Sequence, residues 1–137
     1  MISVYADGSS TGRSNRPGGW AYVIVRDGWE LASAYGGAPS ATNNTMELQA
    51  AIEGLKAVSS LGLLNDETIE LVCDSQYVLG LACGEYHPKK NVGQATELRR
   101  LTIKTEAKMR WVRGHDGDTY NEKCDVMAKQ GKEENTL

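Results

Sequence analysis

Asp7 and Asp74 each stand directly after a run of strand-forming residues, ISVYA at 2–6 and TIELVC at 68–73. If those strands pair in parallel, the two carboxylates become neighbours at the end of the sheet where α/β proteins hold their ligands. Carboxylates that close repel unless a cation sits between them. Glu47, in the first turns of a helical segment, and Asp125, beside Cys124 near the start of the last helix, are two more acids that could converge there from separate elements. Hard oxygen donors with no paired His or Cys suit magnesium, with manganese able to stand in, rather than zinc. Two such ions would activate a water on one side of a phosphodiester and stabilise the leaving oxygen on the other, chemistry that needs several acids. Spacing alone leaves a plainer reading open: Asp7, Asp74 and Asp125 as turn or cap residues, and Glu47 as a solvated helix position.

His115 lies in a loop between Gly114 and Gly117, where a mobile imidazole could move a proton or help product leave, or be an ordinary surface residue. Gly8, Gly18 and Gly19 read as turn residues, and the chain has no Walker-type phosphate loop. Asn43 or Asn44 could cap the helix, Thr42 too could be a capping residue and nothing more, and the two adjacent amides also suit sugar and base edges in a shallow minor groove. Trp20, Tyr22, Trp29 and Trp111 read as core rather than as stacking platforms.

These residues need a frame. Residues 2–6 form a strand running into a loop rich in Gly, Ser, Arg and Asn up to Gly19. A second strand, WAYVIVR at 20–26, folds back through the turn signal Asp27-Gly28 onto a third at 30–35. The segment 42–61 places Leu48, Ile52, Leu55 and Val58 at helical period, and Gly62 stops it. A buried strand at 68–73 leads to a short helix capped by Ser75, and a turn-rich connection, GEYHPKKNVG, precedes a helix through Ala95, Leu98 and Leu101. The strand KMRWVR at 108–113 and a helix from Tyr120 to Lys129 complete the order. The expected class is α/β: a five-stranded mixed sheet, made of a three-strand antiparallel meander plus two parallel strands, flanked by helices.

With 137 residues, 40% of them hydrophobic, the chain suits one domain over 1–137, the polar stretch 129–137 being a frayed tail. The net charge of −3 argues against charge-driven, nonspecific nucleic-acid binding but not against a metal-assisted nuclease. Cys73, Cys83 and Cys124 have no paired spacing and read as reduced thiols of a cytoplasmic protein. The opening MISVYADG has no basic stretch followed by an apolar run, so neither secretion nor membrane insertion is expected.

DGS at Asp7, TNNTMELQAAIEGL around Glu47, CDSQYV with Asp74, and WVRGHDGDTYNEKCDVMA with His115 and Asp125 follow one another over nearly the whole chain. As a set they resemble type 1 ribonuclease H, in a short form without the basic protrusion. The resemblance implies a ribonuclease H-like fold and an endonuclease that cuts the RNA strand of RNA–DNA hybrids with two magnesium ions, leaving 5′-phosphate and 3′-hydroxyl ends. Residue by residue, it makes Asp7, Glu47, Asp74 and Asp125 the metal-binding catalytic acids and His115 the mobile catalytic histidine. It also implies that Glu47 accepts a hydrogen bond from a 2′-hydroxyl and that Thr42 meets a phosphate of the DNA strand. Asn43 and Asn44 would contact both strands, and Gln76 and Tyr77 the minor groove and a DNA sugar.

Two departures stand out. The span GEYHPKKNVGQ has only Lys89 and Lys90 as basic residues and no Trp, and the loop between Asp7 and Gly19, with Arg13 and Asn15, is longer than common in the family. The rival readings are a DNA nuclease or junction resolvase of the same fold and a hybrid-binding module that does not cut; a reverse-transcriptase domain is disfavoured because Met1 stands just ahead of the first strand. The N-N-x-M-E-L segment argues against the first and the presence of all four acids against the second. The expected partner is an RNA–DNA hybrid bound by a monomer.

Overall fold

The computed structural model describes residues 1–11, 16–63, 67–114 and 118–136. The elements are β1 (Ile2–Ser10), β2 (Arg16–Arg26), β3 (Trp29–Ala41), α1 (Asn43–Ser60), β4 (Ile69–Cys73), α2 (Gln76–Ala82), α3 (Val92–Thr105), β5 (Lys108–Trp111) and α4 (Thr119–Glu134). One five-stranded sheet has the order β3-β2-β1-β4-β5. The first three strands form the antiparallel meander, and β1–β4 and β4–β5 pair in parallel. This is the mixed sheet expected from the sequence.

Period-two alternation decides which helix covers which face. Ile2, Val4 and Ala6 point into the larger core with Leu48, Leu55 and Val58 of α1, Leu79 and Leu81 of α2, and Leu98 and Leu101 of α3. Tyr5 points the other way, into a smaller core with Val23, Val72, and Cys124 and Ala128 of α4. The sheet is therefore sandwiched between three helices and one.

Several local expectations are corrected. β1 does not end at Asp7 but runs to Ser10, pairing Gly8 with Trp20, Ser9 with Gly19 and Ser10 with Gly18. Gly8, Gly18 and Gly19 are thus strand residues, and what two of them supply is room for a helix backbone. A Cβ at Gly8 would stand 2.4 Å from the Glu47 amide nitrogen, and one at Gly19 would stand 1.9 Å from the Ala128 carbonyl oxygen. Helix α1 and helix α4 each rest directly on a strand at these points. Gly19→Ala is expected to cost about 3 kcal/mol, because a rigid helix backbone must move to admit the methyl. Urea denaturation checks this, and an unchanged midpoint would contradict the close packing of α4.

Of the three residues the sequence offers for the cap of α1 it is Thr42 that serves, and Asn43 and Asn44 do not: its hydroxyl accepts from the Thr45 amide at 3.1 Å, and the Thr45 hydroxyl accepts from the Thr42 amide at 2.9 Å. Helix α4 starts one residue earlier than expected, with Asp118 accepting from the Tyr120 and Asn121 amides at 3.1 and 3.0 Å. It also continues through Glu134, where the sequence suggests a frayed tail from Lys129; Gly131 is buried against Gly36 of β3, and that contact holds the last turns. Trp29 and Trp111 are not core, at 77% and 45% exposed, whereas Trp20 and Tyr22 are partly buried and stack at 6.3 Å. Trp29 follows the Asp27-Gly28 turn, whose two residues both have positive φ, and stands at the start of an edge strand, where its side chain is left exposed. Among the described residues no helix is long and apolar enough to cross a membrane.

Candidate active site

The parallel register of β1 and β4 ends with Tyr5 opposite Val72. Two residues further along each strand come Asp7 and Asp74, so the register itself brings these acids level with one another. Glu47 arrives from α1, whose first turns lie on Gly8, the residue after Asp7. Carboxylate oxygens of Asp7, Glu47 and Asp74 all lie within 4.8 Å of one another.

Asp7 is 6% exposed, and its Oδ1 accepts from the Gly8 amide at 2.9 Å. Burial first, then the charges of Asp74, Asp125 and Glu47, push its pKa up to about 8. Glu47 rises to about 7, chiefly by burial and then by the charge of Asp74, while a hydrogen bond with the Ser75 side chain pulls the other way. Ser75 also accepts from the Val78 amide at 3.1 Å, which caps α2. Its contact with Glu47 is not visible in the sequence, where Ser75 reads only as a cap; the one available signal is its place directly after Asp74.

Asp125 approaches from α4. It is close enough to raise Asp7, but its Oδ2 is paired with Lys129 Nζ at 2.9 Å, and the tight cluster comprises the other three acids. Trp111 fixes the far side: its indole Nε1 donates to the Asp74 carbonyl at 3.0 Å. His115 lies outside the described residues, as do Arg13 and Asn15.

Three buried or half-buried acids so close together are costly as bare anions, as the two raised pKa values record. An oxygen-only donor set of this kind fits a hard divalent cation, which would remove the repulsion. The residues present therefore suit the ion that the sequence suggests.

The expected substrate contacts lie nearby but differ in availability. The Thr42 hydroxyl is engaged in the α1 cap. Asn43 is exposed, and its Oδ1 accepts from Ser10 Oγ at 2.7 Å, while Asn44 and Gln76 are also exposed. Asn44 and the half-buried Tyr77 line one groove together with Tyr86, His87, Lys89 and Lys90.

The order β3-β2-β1-β4-β5, with acids at the ends of β4 and along β1, defines the ribonuclease H-like class of α/β proteins. The sequence model of RNase H matches residues 1–133. The chain is 35% identical to a ribonuclease H of Bordetella pertussis, covering 97% of this chain and 90% of that one. It is 34% identical to ribonuclease HI of Pseudomonas aeruginosa, covering 96% and 93%. Among solved structures, RNase H1 of the halophilic archaeon Halobacterium salinarum superposes with a TM-score of 0.80 at 26% identity, covering 97% and 98%. LC11-RNase H1, isolated from compost and solved in complex with an RNA/DNA hybrid, gives 0.84 at 20% identity over 98% of each chain. The chain belongs to the RNase H family and is an endoribonuclease.

Proposed function

We propose that the chain hydrolyses the RNA strand of RNA–DNA hybrids at the Asp7–Glu47–Asp74 cluster, leaving 5′-phosphate and 3′-hydroxyl ends. The observation that carries this reading is the convergence of three carboxylates from β1, α1 and β4 within 4.8 Å, in surroundings that disfavour their charge. Asp7, Glu47 and Asp74, joined by Asp125, would hold two magnesium ions. Bound there, the ions supply positive charge where a water attacks phosphorus and where the 3′-oxygen leaves.

The chain's own groups do the rest. Asp7, held by burial and the Gly8 amide, gives the site a fixed anchor. Glu47, steadied by Ser75, is placed to accept a 2′-hydroxyl hydrogen bond and so favour RNA over DNA at the cut strand. Asn43, Asn44, Gln76 and Tyr77 receive the shallow minor groove, and His115 moves a proton or aids product departure. Recognition of groove shape and 2′-hydroxyls needs no base sequence, so cutting is sequence-independent. The hybrid bound by LC11-RNase H1, on the same fold, supports this substrate. Three free thiols accord with a reducing cytoplasm, where the chain would act as a monomer.

End-labelled RNA–DNA hybrid, double-stranded RNA and double-stranded DNA, each incubated in magnesium, manganese or EDTA, test the reading. Cutting of the RNA strand of the hybrid, lost in EDTA, is expected. Cutting of DNA would favour the junction-resolvase alternative, and binding of hybrid with no cutting would favour a passive module.

A further inference from the structure

The connection between α2 and α3 is short, and its shape builds a second concave feature. The chain turns at Gly84, with φ at 81°, and returns so that the Tyr86 amide donates to the Gly80 carbonyl at 3.0 Å. A Cβ on Gly80 would lie 2.3 Å from the Tyr86 ring, so the ring rests on the α2 backbone. On one side of Tyr86 and His87 is the groove with Asn44, Tyr77, Lys89 and Lys90. On the other, sharing the same two residues, is a crevice between α2 and α3 walled by Thr96 and Arg99. The two hollows adjoin, with Tyr86 and His87 lining both.

Arg99 is a fixed cation. Its Nη1 donates to the Ala82 carbonyl at 2.9 Å, and its Nε and Nη2 lie over Gly84, 3.0 and 3.2 Å from where a Cβ would stand. Among the ion pairs of the described residues none includes Arg99, and the nearby Glu97 is taken by Arg100 at 2.8 Å. A guanidinium held by one of its five N–H groups, half-buried and without an acid partner, has donors left for an oxyanion and loses little freedom in binding one. In a chain of net charge −3, Lys89 and Lys90 in one hollow and Arg99 in the adjoining one form a local cationic track, against which Glu85 is the acid of the same loop.

We propose that the α2–α3 crevice is a phosphate site, and that one strand of the hybrid runs from Asn44 and Tyr77 past Lys89 and Lys90 to place a phosphodiester on Arg99. This rests on the hybrid-cutting reading and adds to it a binding position away from the acids. The short connection thereby acquires a role, because leaving the crevice open puts a helix-borne arginine within reach of the substrate.

The test is hybrid binding in EDTA, where the strand stays intact, as a function of salt and duplex length. Arg99→Gln keeps an amide able to donate to Ala82 and removes the charge; Thr96→Glu leaves Arg99 in place and adds an anion to the crevice, so a folding failure in one does not decide the matter. For a hybrid of about 18 base pairs, each variant is expected to weaken binding about five- to tenfold, and Arg99→Gln to flatten the log–log salt slope by about 0.7 to 0.9, one phosphate contact. For one of about 6 base pairs the loss should be much smaller, since only a longer duplex reaches the crevice. Arg99→Lys should recover part of the affinity. Equal losses at both lengths, or an unchanged slope in a folded variant, overturn the strand path. Inorganic phosphate and a 5′-mononucleotide, titrated with amide NMR detection at Gly84, form the other arm: tight Arg99-dependent binding of either without the length effect would make this a free-anion site and also overturn it. If the parent chain neither binds nor cuts hybrid, the hybrid-cutting reading falls; if it does both and the variants match it, only the Arg99 site falls.

Discussion

Replacing Asp7 by asparagine is expected to lower hybrid cleavage on the order of 10³-fold and, in metal-free buffer at pH 8, to raise the melting temperature. The first effect follows from charge: an amide of the same shape cannot bind a divalent ion as the carboxylate does, and the several kcal/mol that such an ion contributes to a phosphoryl-transfer barrier converts at tenfold per 1.36 kcal/mol. The second follows from the same burial that makes the site work. Asp7 is 6% exposed with Asp74, Asp125 and Glu47 around it, so its ionised form is worse off in the fold than in the unfolded chain. An uncharged isostere removes that penalty and keeps the packing on β1. Melts of both proteins in EDTA at pH 8, beside single-turnover cleavage in magnesium, measure both parts. A variant that cuts well, or that melts below the parent in EDTA, would contradict the placement of Asp7 at the centre of the cluster. Asp74→Asn should lose activity alike.

The contrast between what is legible in the sequence and what is not has a physical basis. Strand interiors and helix periods are local, so the five strands and the buried stripe of α1 follow from residue type and spacing, and so does the adjacency of Asp7 and Asp74 once β1 and β4 are parallel. Where tertiary approach overrides local chemistry, the sequence misleads. Gly8 and Gly19 carry the composition of a turn, yet each sits in a strand because a helix backbone lies where a side chain would be. The choice among Thr42, Asn43 and Asn44 is instead made locally: the Thr42–Thr45 pair satisfies both of the amides involved and leaves the asparagines at the surface. The polar residues after Lys129 look like a tail until the Gly131–Gly36 contact is known. Likewise, Glu47 and Ser75 are 28 positions apart, and nothing local announces their hydrogen bond.

The remaining large effect concerns protons and metal together. Asp7 at about 8 and Glu47 at about 7 both hold their protons more tightly in the fold than when unfolded, against ordinary values of 3.8 and 4.5. Between those limits the folded state binds more protons than the unfolded one, so the metal-free protein should lose stability as pH rises from about 4 to about 8, opposite to the usual salt-bridged carboxylate. Divalent cations should reverse this, because they bind the ionised cluster of the folded state alone. A cation at about 100 times its Kd adds about 2.7 kcal/mol, or about 8 °C for a chain of this size. At pH 8 magnesium should therefore raise the melting temperature by about that amount, and EDTA should abolish the rise. At pH 5 Asp7 and Glu47 are protonated, protons compete with the ion, and the same magnesium should shift the melt by a small fraction of it. Equal magnesium shifts at both pH values would mean that the ion binds away from Asp7 and Glu47. Repeating the pair of melts with Asp7→Asn isolates the cause: the variant should show a flatter fall with pH and little response to magnesium at either.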